Sequence, residues 1–322
     1  MDREIYCGTI IDKEAKIILL NSHQNLHSFS SQLKGKIDGQ IDLLCGLWWS
    51  IEGLKQVVKL LFIILRNKFK FPNIRVTILC NTLKEHKLLK LLNIRSIYCN
   101  HNCFIDYNLF NIDYNVKKIY SAVYNAVLSD YKRHLLCSGI PDLALVTYNF
   151  KNFRYKKLLD TVLEKPTWLN YKVNSEPRLL NTEEIIKIYN EANCGLALSK
   201  IEGAMYSSTE YLLCGLPVVS TSSTGGRHIF YTSNNSIITN ANTKDIGEAV
   251  KFWNDNVVDR DLIRAECISV MESHRKVFTN YINSLFIEKG FRKNVEDTWD
   301  SWYVNKLRND FYIEDFIREL KD

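Results

Sequence analysis

Short runs of β-branched and other apolar residues alternate with longer amphipathic stretches along most of this chain, which predicts parallel-sheet α/β architecture. In the first third, residues 17–21 and 41–45 read as strands. A helix over 53–70, a strand over 74–80, a helix over 83–92 and a strand over 96–100 follow. Periodicity fails over 102–116, where Asn, Asp and Tyr accumulate, and this predicts a linker.

A second series then begins. Residues 119–124 read as a strand, and 130–138 as a helix stopped by Gly139 with Pro141 just beyond. A strand over 143–147 and helices over 153–164 and 183–192 follow, the last with Thr182 as N-cap. Residues 195–199 and 218–221 are strands flanking a helix from 207 to 214, and the pattern beyond Asp259 is helical to the end. The expected organisation is two Rossmann-like parallel-sheet domains, 1–116 and 117–290, facing a cleft. Residues 291–322 form a helical C-terminus that packs back on the first domain through Trp299, Trp302, Tyr303, Leu307, Phe311 and Phe316. Ligands of such sheets bind beyond the carboxyl ends of strands, so the loops after Asn125, Ser199 and Thr221 are the expected places for chemistry.

Of the 322 residues, 46% are hydrophobic and 12% aromatic, enough to form real cores and to exclude global disorder. The net charge of +6 suits phosphate-bearing substrates or an anionic surface but falls short of a nucleic-acid footprint. Nine scattered cysteines with no C-x-x-C read as reduced thiols of a cytoplasmic protein. Cys99-Asn100-His101-Asn102-Cys103 lacks a second ligand pair at zinc spacing, and Asp259-Arg260-Asp261 begins a helix where acids serve as caps, so no metal is expected. The opening MDREIYCGTI has no signal-peptide organisation. The cations Lys55, Lys59, Arg66, Lys68 and Lys70 would suit peripheral contact with the inner membrane, although an ordinary buried helix with charged ends is the simpler reading. Trp48 and Trp49 read first as core, with sugar stacking as the alternative.

The most informative stretch runs from Ser199 to Thr221. A strand end passes Glu202 and Gly203, enters a helix carrying Glu210, and leaves it at Gly215 before Pro217 starts the next strand. The loop from Glu202 to Tyr206 would present backbone N–H groups at a helix N-terminus, which suits phosphate or sugar oxygens. Two carboxylates at such a strand end suit a ligand rich in hydroxyls, since each accepts two hydrogen bonds from a vicinal diol.

This Glu-x7-Glu stretch resembles that of family-4 type retaining glycosyltransferases with the GT-B fold. Ser223-Thr224-Gly225-Gly226 resembles their Gly-Gly loop, residues 180–192 the helix before the motif strand, and Asn102-Cys103-Phe104-Ile105-Asp106 the segment closing the first domain. The likeness covers roughly residues 75–250. It implies a nucleotide-sugar donor as substrate rather than a cofactor, held by the second domain, and a glycan or lipid-linked acceptor on the first. The implied role is metal-independent retaining transfer in bacterial surface-polysaccharide synthesis. Carried over, Glu210 would hold the ribose hydroxyls and Glu202 would face the donor sugar, with Gly203, Ala204 and Met205 offering backbone contacts and Gly225 and Gly226 in the adjoining loop. Asn125 opens the loop leading to Lys132, which matches the lysine that neutralises the diphosphate.

One departure stands out: Val127 occupies the place of the family's phosphate-binding arginine. Arg133 adjoins Lys132 but on a helix would point about 100° away. Val127 is compatible with a weaker diphosphate clamp, with a one-phosphate donor such as a CMP-sugar, or with a non-catalytic partner subunit of the same fold. A nucleotide-sugar epimerase is a further alternative. For the enzyme reading, Glu210→Gln should weaken nucleotide affinity and Glu202→Gln should lower kcat, with neither unfolding the protein.

Overall fold

The computed structural model describes residues 4–163, 166–171 and 176–321, which divide into two compact units. One comprises the chain up to Asp106 together with the chain from Met271 onward; the other is Tyr107–Val270. The limits therefore lie at 106 and 270, where the pattern of the sequence put them at 116 and 290.

The first unit contains β1 (Ile5–Asp12), β2 (Ile17–Leu20), α1 (Leu26–Leu33), β3 (Ile41–Gly46), α2 (Leu54–Lys70), β4 (Ile74–Cys80), α3 (Leu83–Leu91) and β5 (Ser96–Tyr98). The second holds β6 (Ala122–Asn125), β7 (Leu143–Val146), α4 (Phe153–Val162), β8 (Thr167–Trp168), α5 (Thr182–Glu191), β9 (Gly195–Ala197), α6 (Tyr206–Leu213), β10 (Val218–Thr221), β11 (Ser236–Thr239) and α7 (Thr243–Asp255). Helix α8 (Arg260–Glu288) crosses the limit between them, and α9 (Trp299–Trp302), β12 (Asp310–Tyr312) and α10 (Ile313–Lys321) complete the first unit. The helix expected over 153–164 ends at Val162, and Glu164 lies outside the described residues.

In the first unit the strand order is β12-β1-β2-β3-β4-β5. Strands β2 to β5 are parallel, whereas β1 runs antiparallel to both neighbours, pairing Ile5 with Tyr312 and Gly8 with Leu20. The sequence pattern gave helix to the end, so β12 is a correction. It is three residues long and forms only because β1 offers a free edge. The C-terminal aromatics do not form one helical stripe but pack from short pieces. Trp299 lies 4.8 Å from Trp302, Phe311 stacks on Phe316 at 4.2 Å, and Phe316 meets the buried Phe29 of α1 at 5.5 Å. Strand β3 is buried throughout, so its Asp42 must be paired: Arg75 binds it from β4, and the Lys289 ammonium lies 2.9 Å from its second oxygen. The Trp48 indole is half exposed and donates to Asn21 Oδ1 at 3.2 Å, so it is not core.

In the second unit six parallel strands run in the order β11-β10-β9-β6-β7-β8. The chain leaves β6 outward through β7 and β8, then crosses back to β9 on the other side of β6. That reversal makes the β6/β9 junction the topological switch point, where the loops at the strand ends diverge and leave a crevice.

Candidate functional site

The two loops that flank the switch point carry the motif residues. After β6, the expected helix over 130–138 is absent. Two short 3-10 turns, Asp130–Lys132 and His134–Cys137, are separated by Arg133 in the left-handed conformation at φ 55°. The cause is tertiary: the buried Tyr124 hydroxyl donates to the Lys132 carbonyl at 2.5 Å, and Lys200 N–H donates to the Tyr131 carbonyl at 3.1 Å. Backbone groups that a helix would use internally are thus committed elsewhere. Lys132 is consequently buried inside a loop rather than exposed at a helix N-terminus, and the helical estimate of where Arg133 points does not apply.

After β9, the chain Ser199–Met205 forms a compact loop. Glu202 N–H donates to Thr224 O at 3.0 Å and Thr224 N–H to Lys200 O at 3.2 Å, which lays the loop beside the segment following β10. Gly226 N–H then donates to Gly203 O at 2.6 Å. Gly225 sits at φ 109°, and a Cβ there would press into the carbonyl oxygens of Glu202 and Gly203. Gly225→Ala should therefore cost about 1–3 kcal/mol of stability through forbidden backbone geometry. Thermal melts of that variant check this, and an unchanged melting temperature would refute it.

The structure brings Lys132 and Glu202 into a direct ion pair with both side chains more than nine-tenths buried. Seventy residues of chain separate them, so this contact exists only because the two loops meet at the switch point. Glu210, in α6, is equally buried, and its Oε2 accepts from the Tyr189 hydroxyl at 2.9 Å. The same hydroxyl accepts from Asn125 Nδ2 at 2.7 Å, while Asn125 N–H donates to the Tyr211 hydroxyl at 2.8 Å. Asn125 thus serves to fix the end of β6 against α5 and α6. Burial and the adjacent Glu210 carboxylate hold the Tyr189 phenol well above its ordinary range. Gly203, Ala204 and Met205 are buried in the loop, with Met205 left-handed at φ 57° where it starts α6. The half-buried Arg133 extends an Nη within 3.4 Å of Thr221 Oγ1, the last residue of β10.

Sequence reasoning missed two groups. Arg227 is fully buried and donates to the Ser199 hydroxyl, to Ser199 O at 3.1 Å and to Thr221 O at 2.8 Å, so one guanidinium clamps the ends of β9 and β10. Its position directly after the Gly225-Gly226 turn was the available signal. Tyr189, which bridges Asn125 and Glu210, lies in the helix before the motif strand but shows no local pattern that marks it. Asp259, in the only D-x-D, caps α8 by accepting from Leu262 N–H at 2.9 Å. Among the described residues no group of three metal-ligating side chains occurs.

No family model matches the chain, and no curated protein matches it by sequence. Solved structures do. HepE from Anabaena, crystallised with UDP and glucose, superposes with a TM-score of 0.60 over 86% of this chain and 79% of its own, at 15% identity. Sucrose-phosphate synthase from Thermosynechococcus elongatus gives 0.58 over 85% and 72%, at 14% identity. A variant of S. aureus TarM, crystallised with fondaparinux, alpha-GlcNAc-glycerol and UDP, gives 0.55 over 81% and 59%, at 14% identity. At such identities the likeness is one of fold: two Rossmann-like α/β units of the GT-B class, as the motif resemblance implied.

Proposed function

We propose that this chain is a glycosyltransferase that binds a nucleotide-sugar donor at the β6/β9 switch point of its second unit and transfers the sugar to a glycan or lipid-linked acceptor. The observation that carries the reading is the convergence of Lys132 and Glu202 from the two loops of that switch point, with Glu210 one helical segment further on. A fold alone would not place a buried cation and carboxylate together there. Lys132 would exchange its carboxylate partner for the donor diphosphate and neutralise the charge that develops on it as the sugar–phosphate bond breaks. Glu202, released, would accept hydrogen bonds from the donor sugar, and Glu210 would hold the ribose diol. Val127 leaves the diphosphate without the usual arginine, and Arg133 is the nearest cation in sequence to assist. The reading extends to retaining, metal-independent chemistry, in which the acceptor hydroxyl passes its proton to the departing phosphate oxygen. It also extends to a role in surface-polysaccharide synthesis at the cytoplasmic side of a membrane.

The test is a thermal-shift series with UDP, GDP, ADP, dTDP and CMP, followed by transfer assays with the matching sugars. UDP comes first, because the HepE structure contains it. A ligand at about 100 times its Kd adds about 2.7 kcal/mol of stability. Glu210→Gln should weaken nucleotide binding about tenfold to a hundredfold, the worth of a hydrogen bond to a charged acceptor. If no nucleotide stabilises the wild type, the reading fails and a partner-subunit role takes its place.

A further inference from the structure

Helix α2 (Leu54–Lys70) belongs to the first unit and presents two apolar faces, only one of which the fold uses. Val57 and Leu60 are buried, with Leu61, Ile63 and Ile64 partly buried against the same core. Leu54, Val58, Phe62, Leu65 and Phe69 are instead all exposed, Leu54 at 81% and Phe69 at 92% of their full area. At 3.6 residues per turn these five fall within about 80° of arc, an unbroken stripe along all 17 residues. Exposed apolar residues scattered singly are ordinary, but five in register on one helix face are not.

The surroundings of the stripe select its occupant. Helix α2 contains no acidic residue, and its five cations are all exposed. On the same helical projection Lys55, Lys59, Arg66 and Lys70 border one side of the stripe and Lys68 the other. An apolar strip bounded by cations on both sides fits the headgroup–acyl boundary of an anionic bilayer, with the stripe among the chains and the cations at the lipid phosphates. The interface between two copies of one helix would instead set these cations against each other. No helix among the described residues is long and apolar enough to cross a membrane, so any lipid contact would lie in the interface plane.

We infer that α2 docks this protein on anionic lipid surfaces through the stripe Leu54, Val58, Phe62, Leu65 and Phe69. The attachment is independent of the nucleotide site and does not depend on the proposed transfer activity. The buried reading of this helix given by its sequence is correct for one face only.

The full chain is mixed, without nucleotide, with sedimentable vesicles of phosphatidylcholine alone or of phosphatidylcholine with phosphatidylglycerol. Binding is expected to the anionic vesicles and not to the neutral ones, and to weaken with added salt, since each interfacial cation adds about fivefold to the affinity. The double variant Phe62→Ser/Phe69→Ser should lose at least about tenfold in vesicle affinity, because its lost apolar contact is with lipid. Its melting temperature should stay within a degree or so of the wild type, because neither ring is in the core. Three results would overturn the inference: no binding to anionic vesicles, undiminished binding by the double variant, or a wild-type dimer in sedimentation equilibrium that the double variant dissolves.

Discussion

Replacing Glu202 by alanine is expected to lower the stability of the protein by about 3–5 kcal/mol as well as abolish transfer. The size follows from burial. Glu202 and Lys132 are each almost fully removed from water and face one another directly, so deleting the carboxylate strands an ammonium in a site with little solvent to receive it. The sequence alone pointed the other way, to a solvated carboxylate whose change would leave the fold intact, and the burial of Glu202 corrects that expectation. Replacing both partners, as Lys132→Met/Glu202→Leu, removes the stranded charge and should restore most of the lost stability. Denaturant unfolding of the two variants separates the outcomes. The double variant is also the sharper probe of function, because it is folded yet lacks both groups that would meet the donor. Transfer by it at the wild-type rate would show that the pair only braces the two loops. A single variant as stable as the wild type would show that the pair contributes nothing net.

What the sequence revealed and what it concealed divide along the range of the interactions concerned. Strand β4 was predicted to the residue and the ends of α3 and α6 to within one, because each is set by nearby signals. Thr82 caps α3 in a capping box with Glu85, and Gly215 ends the α6 turn at φ 66°. The Glu202–Glu210 spacing was legible for the same reason. Strand β1 was not: Ile5–Asp12 has a weak alternation broken by Cys7 and Gly8, and its edge partner β12 is some three hundred residues away. Helix α1, with the polar sequence LHSFSSQL, owes its place to Phe29 packing against Tyr6 and Phe316 rather than to its own propensity. The helix wrongly expected over 130–138 fails because Tyr124 takes the Lys132 carbonyl. The Arg227 clamp was likewise invisible, since its partners Ser199 and Thr221 sit at the ends of separate strands.

Mild acid should destabilise the protein well above the range where carboxylates titrate, and histidines that burial keeps neutral account for it: His228, lowered to about 4, and two with no partner on a ring nitrogen. His101 in the first unit and His134 in the second are both buried. Burial, reinforced by His23 in one case and Lys132 in the other, lowers their pKa to about 4 and about 3. The His101 ring lies against Gly46, and its Nε2 has no partner; His134 lies between the rings of Tyr124 and Tyr155, at 4.9 and 5.7 Å, with Nδ1 unpartnered. In both pockets loss of solvent is the largest influence, and it opposes protonation. The unfolded chain takes up a proton on each as pH falls through about 6.5, while the folded chain does not, so stability is full above that pH and is lost progressively toward the folded values. Between pH 8 and 5 each of these two histidines should contribute roughly 2 kcal/mol of loss, about 4 kcal/mol together. Glu85, whose pKa burial raises, works in the opposite sense as pH falls, since its folded form gains a proton more readily than its unfolded form. Chemical denaturation at a series of pH values between 5 and 8 gives the slope. His134→Phe and His101→Phe should each flatten it by up to about a third, whatever each costs at pH 8, because neither phenylalanine can bind the proton that drives the loss and His228 supplies a comparable share. A slope unchanged in both variants would place the acid sensitivity elsewhere.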